Sequence, residues 1–194
     1  MPSDPLVLGF DTSAAHCAAA LICGPNTLAL RSAQMARGQA EQLMPLLIEC
    51  LDEAEVTWSD LCRIGVGIGP GNFTGIRIAV SAARGLALGL GIPAIGVDLF
   101  ESSAHLSGQG LICVPAMRGQ VYMRDIDAVS TPEILAKAPQ GALVSSQYSP
   151  TEHAIAIARI AGGKSAGVAP APFYVRAADA APSRDLPPAL LDGA

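Results

Sequence analysis

Two stretches hold side chains whose types and spacing could do chemistry. The first is Asp11-Thr12-Ser13, a carboxylate and two hydroxyls at the end of an apolar run. In phosphotransfer folds a carboxylate at a strand end holds Mg²⁺ through water. An aspartate in that place also accepts hydrogen bonds from the following backbone N–H groups and forms a turn. The second stretch contains Gly67, Gly69, Pro70, Gly71, Thr74, Gly75 and Arg77, between a strand-like and a helix-like run. Four glycines so close together lose much chain entropy on folding, so the backbone there needs unusual φ values or close contacts. Free N–H groups at a helix start can cradle a phosphate, with Arg77 facing the anion. The alternative role for Arg77 is a surface ion pair or a strut for the loop.

Neither stretch completes a nucleotide site. A helix dipole contributes about 0.3–2 kcal/mol, whereas a millimolar ligand needs about 4.1 kcal/mol. The loop lacks the Lys of G-x-x-x-x-G-K-[ST]. Gly163-Lys164-Ser165 resembles the end of that pattern, but Ala158 stands where its first glycine belongs. His16, His105 and His153 lack metal-ligand spacing, and there is no G-x-S-x-G elbow. Neither a metal nor a cofactor is expected. The five cysteines, an odd set without a C-x-x-C pair, read as small buried hydrophobes.

The elements that position these residues follow from periodicity. Residues 6–11 read as a central strand with Asp11 at its open end, and 18–23 and 28–35 as two further strands around Gly24-Pro25-Asn26. Residues 39–54 show apolar groups at three- and four-residue spacing, a helix. Pro45 requires either a start near Gln42 or a bend. A strand at 62–68 leads through the glycine loop into a second helix at 74–90, with Asn72 or Thr74 as N-cap. That helix is rich in Ala and Gly and apolar nearly all round, which fits burial in its own fold or a partner surface. A strand at 92–97 and a helix at 99–106 complete a three-layer α/β unit. Beyond it, 111–114 and 120–126 could pair as a hairpin, 151–161 reads as a helix with Thr151 near its N-cap, and 182–194 as a mobile proline-rich tail.

Composition narrows the class. The 194 residues are 51% apolar and 15% charged, so a large core is expected. A net charge of −5 with scattered arginines argues against direct nucleic-acid binding. No basic n-region precedes an apolar leader. The longest candidate membrane stretch, 86–97, is short and broken by Gly89, Gly91 and Pro93. A soluble cytoplasmic chain without membrane contact is expected.

Several motifs together carry a resemblance. These are Leu8-Gly9-Phe10-Asp11-Thr12-Ser13, the loop Gly69-Pro70-Gly71-Asn72-Phe73-Thr74-Gly75-Ile76-Arg77, then Gly85 to Gly89 and Ile92 to Val97. Arg118-Gly119-Gln120-Val121-Tyr122 and Pro172-Phe173-Tyr174-Val175-Arg176 extend it into the second half. The chain resembles the TsaB (YeaZ) family, bacterial accessory proteins of tRNA threonylcarbamoyladenosine biosynthesis. The resemblance implies an actin-like ATPase (ribonuclease H-like) fold with two subdomains, here 1–106 and a shortened 107–181. It further implies a noncatalytic scaffold that pairs with and activates a TsaD-like threonylcarbamoyltransferase. A TsaE-like ATPase joins them, and tRNA is met only through the complex. The two helices of the first subdomain would form the partner face, through Leu43, Met44, Leu47, Ile76, Ala79, Val80, Ala83, Leu86 and Ala87. The isolated chain could form a homodimer through the same helices. Asp11 becomes the vestige of a nucleotide site, and the glycine loop a structural passage. Gln39 stands where many members carry His, and Ala116 where an Asp commonly precedes the Arg-Gly pair. The alternative function is a residual ATP-binding enzyme, an ATPase or small-molecule kinase on the same fold.

Overall fold

The computed structural model describes residues 4–128 and 130–175; the tail expected at 182–194 lies outside them. The chain opens with β1 (Leu6–Asp11), β2 (His16–Cys23) and β3 (Asn26–Gln34), then α1 (Gln39–Glu53), β4 (Arg63–Gly67), α2 (Phe73–Leu90), β5 (Ala94–Val97) and α3 (Leu99–Ser107). The second half supplies β6 (Leu111–Pro115), β7 (Val121–Asp125), β8 (Glu133–Leu135), β9 (Leu143–Val144) and α4 (Pro150–Gly163). The first sheet has the order β3-β2-β1-β4-β5, so β1 is central, antiparallel to β2 and parallel to β4. The second sheet has the order β8-β7-β6-β9. Its β6–β7 hairpin was legible in the sequence; the short strands β8 and β9 were not.

Alternation along β1 sorts its side chains between two helical layers. Leu6, Leu8 and Phe10 point into a core shared with Leu43, Leu46, Leu47, Cys50 and Leu51 of α1 and Ala79 and Ala83 of α2. Val7 faces the other way and packs with Ala158 and Ala161 of α4. On that second face Gly9, Gly65, Ala18 and Ala20 leave the sheet bare beneath the helix. A methyl on Gly9 would stand 2.6 Å from the Ala154 carbonyl oxygen, and one on Gly65 2.8 Å from that of Ile157. The bare strands let α4 lie almost on the backbone of β1 and β4. Arg63 holds the end of that helix, donating to the carbonyls of Ala161 (3.2 Å) and Lys164. The strands of the first sheet end at Val97 and those of the second begin at Leu111, while α4, from the second half of the chain, returns to close the first sheet.

The helix ends follow their capping chemistry. Asn72 caps α2, its side chain accepting from Gly75 N–H, and Thr74 is not the cap. Ser149, rather than Thr151, caps α4, with Glu152 completing a capping box and Pro150 in the first turn. Helix α1 starts at Gln39 rather than near Gln42 and continues through Pro45. Among the described residues helix α2, rather than 86–97, meets the length and composition of a membrane span. Its Ile76, Ala79, Val80 and Ala83 are nevertheless buried, as in the core helix of a layered fold. Of the cysteines, Cys17, Cys50 and Cys113 are buried, but Cys62 is exposed and Cys23 only partly covered.

Candidate functional site

At the end of β1 the chain turns through Thr12 and Ser13. Asp11 is buried there, and its Oδ2 accepts from the Ser13 N–H at 3.0 Å, the Ser13 hydroxyl at 2.9 Å and His16 Nε2 at 3.0 Å. This is the turn-forming aspartate, with an imidazole added. The antiparallel return of β2 places His16 over Asp11, five residues on; no spacing rule ties the two in sequence. Thr12 Oγ1 donates to the Gly75 carbonyl at 2.6 Å, joining the turn to the first turn of α2.

The glycine loop fits against that turn by lacking side chains. A methyl on Gly67 would overlap the Asp11 carboxylate, one on Gly71 the Ser13 carbonyl, and one on Gly75 the Thr12 carbonyl. Gly69 combines a φ of 99° with a cis peptide to Pro70. Arg77 lies on the outside. Its guanidinium carbon is 3.8 Å from the Phe73 ring centre and its Nε donates to the Tyr174 hydroxyl at 3.1 Å, while Phe73 and Tyr174 stack at 4.9 Å. Of the roles open to Arg77, the strut is the one the geometry supplies.

Between the Asp11 turn and the second sheet lies a cavity of about 280 Å³. Asp11, Ser13 and His16 line one side, and Leu99, Val114 and Tyr148 contribute apolar wall. His153 of α4 also lines it. Its Nε2 donates to the Ser145 carbonyl at 3.0 Å and its Nδ1 accepts from the Ser102 hydroxyl at 3.0 Å. Burial holds the imidazole below its ordinary pKa, and its bond to Ser145 and the Asp11 charge offset this in part. Outside the cavity lining, Asp98 caps α3 and accepts from Arg124 of β7 at 2.9 Å, linking the sheets. Burial pushes the Asp98 carboxyl above its usual range. The thiols of Cys17 and Cys50 are likewise pushed up to about 11 by burial, so neither is a thiolate at neutral pH. Among the described residues no group of three His, Cys, Asp or Glu side chains could hold a metal. Gln39 is buried, its Nε2 lying 3.4 Å from the Ala14 carbonyl and 3.5 Å from that of Met35.

The expected partner face needs correction. Leu43, Leu47, Ile76, Ala79, Val80 and Ala83 are buried within the fold, so their side chains offer no exposed surface to another chain. Amphipathic periodicity marks the face a helix buries in its own fold, and these six belong to it. Leu86 and Ala87 are partly covered and Met44 is exposed. Sequence reasoning missed Ile48, 44% exposed, and Leu88, 87% exposed. An apolar residue off the helix's own apolar stripe was the available signal.

The family model described as TsaD, tRNA N6-adenosine threonylcarbamoyltransferase, matches residues 33–147, more than half of the chain. The tRNA threonylcarbamoyladenosine biosynthesis protein TsaB of Buchnera aphidicola is 32% identical over 123 residues, 60% of this chain and 58% of that protein. The TsaB protein of Escherichia coli is 30% identical over 122 residues, 60% of this chain and 52% of its own length. The chain belongs to the TsaB (YeaZ) family. It spans somewhat over half the length of these TsaB relatives. YeaZ from Pseudomonas aeruginosa, at 24% identity, superposes with a TM-score of 0.65 over 81% of this chain and 92% of that one. The expected actin-like, ribonuclease H-like fold is the observed one, and the central strand order β3-β2-β1-β4-β5 is its first sheet. The TsaB glycine loop, read as possible phosphate cradle or architecture, is here packed against the backbone of the Asp11 turn.

Proposed function

We propose that the chain acts in formation of N6-threonylcarbamoyladenosine in tRNA, as the noncatalytic partner and activator of a TsaD-like threonylcarbamoyltransferase. A TsaE-like ATPase joins the pair in the cytoplasm, and tRNA is met through the complex. The observation that carries this reading is the outer face of α1 and α2. Met44 and Ile48 are exposed on one helix, and Leu88 on the other. Around Leu88, Gly85 and Gly89 leave open space where side chains would stand. Burying one such aliphatic side chain stabilises an interface by about 1.5–3 kcal/mol, and the glycines permit close approach of another backbone. The noncatalytic part is supported by the state of the polar groups. Asp11 and His153 are engaged within the fold, and the buried thiols are protonated.

Co-expression with a TsaD-like protein, followed by co-purification and light scattering, tests the reading. The intact chain should elute as a heterodimer, and on its own as a self-associated pair through the same face. Leu88→Asp and Ile48→Asp, both at exposed positions, should abolish the heterodimer while leaving the thermal unfolding of the chain nearly unchanged. Persistence of the heterodimer in both variants would show that this face is not the interface.

A further inference from the structure

We propose that residues 186–191, Leu-Pro-Pro-Ala-Leu-Leu, seat in a groove beside the C-terminal end of α2 and there cover Leu88. The groove, about 500 Å³, is lined by Ala87 and Leu88 of α2, Ile92 and Pro93 ahead of β5, and Ala169 and Pro170 beyond α4, with Arg84 as the charged group among the described residues. Gly85 and Gly167, also in the lining, leave open space where side chains would stand. Leu88 and Val168, beside the groove, are 87% and 96% exposed. Contiguous apolar surface of this kind marks a docking site.

Covalent reach, composition and charge make the chain's own tail the occupant. Val175, the last described residue, follows Pro170 by five positions and so stands within about 18 Å of the groove. Residues 176–185 can span about 33 Å when extended, which returns Leu186 to the groove with slack. Among the described residues no Asp or Glu pairs with Arg84, and the carboxylate side chains left in the chain are Asp179, Asp185 and Asp192. Asp185 and Asp192 bracket the 186–191 segment, so a carboxylate can meet Arg84 with the segment running in either direction. Pro187 and Pro188 restrict the free segment, which lowers the entropy lost when it docks. Competition between this tail and a partner chain for Leu88 rests on the proposed interface; the seat itself does not.

Alkylation of a thiol placed in the groove of the full chain tests this. Gly85→Cys stands at an exposed position with open space around it, and iodoacetamide labelling followed by peptide mass spectrometry reads its rate against that of the exposed Cys62. Labelling should be about five-fold slower than in the same chain carrying Leu190→Ser and Leu191→Ser, the protection given by a seat filled roughly 80% of the time. Arg84→Glu should speed labelling at least about two-fold, by setting a like charge against Asp185 or Asp192. Ala169→Cys, on the groove but outside the helix, should repeat the pattern. The isolated chain is used throughout, so failure to pair with a TsaD-like protein leaves this result unaffected. The proposal is overturned by equal labelling with the native and the Ser-bearing tails, or by protection that disappears on about ten-fold dilution, which would make a second copy the occupant.

Discussion

Acidification should destabilise this fold through one histidine. His153 sits on α4 between Ser102 of α3 and Ser145, buried, with Tyr148 edge-on at 6.1 Å. The folded environment disfavours its imidazolium chiefly by desolvation; His16 adds to this, and Asp11 and Glu152 oppose it. The folded pKa therefore lies below the unfolded value of about 6.5. Between those two values the unfolded chain binds more protons than the folded one. Stability is thus fully present above about pH 6.5 and falls as pH drops toward the folded pKa. One such group gives a slope of at most about 1.4 kcal/mol per pH unit. For a chain of this size that corresponds to roughly 3–6 °C in Tm per unit. His153→Gln can keep donation to Ser145 and acceptance from Ser102 but does not titrate. Thermal unfolding followed by circular dichroism at pH 7.5, 6.5 and 5.5 should therefore show the parent losing Tm relative to the variant as pH falls. Other carboxylates and histidines titrate in both proteins and cancel in the difference. A Tm difference that is the same at pH 7.5 and 5.5 would refute the argument.

Three further outcomes are expected. Gly9→Ala drives a methyl to 2.6 Å from the Ala154 carbonyl oxygen and should cost about 1–3 kcal/mol by overpacking; Gly162→Ala, whose methyl would meet Val7 at an ordinary 3.6 Å inside α4, should be neutral or stabilising by up to about 1 kcal/mol, both read from denaturant unfolding. Arg77→Ala removes the guanidinium from the Phe73 ring and the Tyr174 hydroxyl and should cost only about 0.5–1.5 kcal/mol, so a loss of several kcal/mol would contradict the strut reading. Calorimetry with Mg-ATP should give no heat of binding at millimolar nucleotide, because among the described residues no Lys or Arg lines the cavity beside Asp11; saturable binding would revive the residual ATP-binding alternative.

How far the sequence revealed this molecule depended on the range of the interaction. The hairpin of β2 and β3, the strand ending at Asp11 and the helix after the glycine loop are local patterns, and each stands within a few residues of its expected bounds. The site was legible only as two fragments. That Gly67, Gly71 and Gly75 are bare because Asp11, Thr12 and Ser13 occupy their space is a contact across some sixty residues, and glycine spacing does not encode it. His153 and Ser145 come to the same cavity from still farther away. The partner face was misjudged because periodicity was asked to mark an outer surface. It marks the inner one, as burial of Ile76 and Ala83 demonstrates. Leu88, off that stripe, is an apolar side chain left outside.

The seat of α4 on Gly9 and Gly65 also bears on how the chain folds. Nearly 150 residues separate Gly9 from Ala154, so closing that face means closing most of the chain into a loop. Until α4 is made, β1 and β2 present Val7, Ile22, Ala18 and Ala20 to water on one side of an otherwise finished sheet. A nascent chain that stops after α3 is thus an unshielded intermediate, and high contact order of this kind makes folding slow. During synthesis the first five strands must wait for α4, and their exposed face is where a chaperone or misassembly would act first.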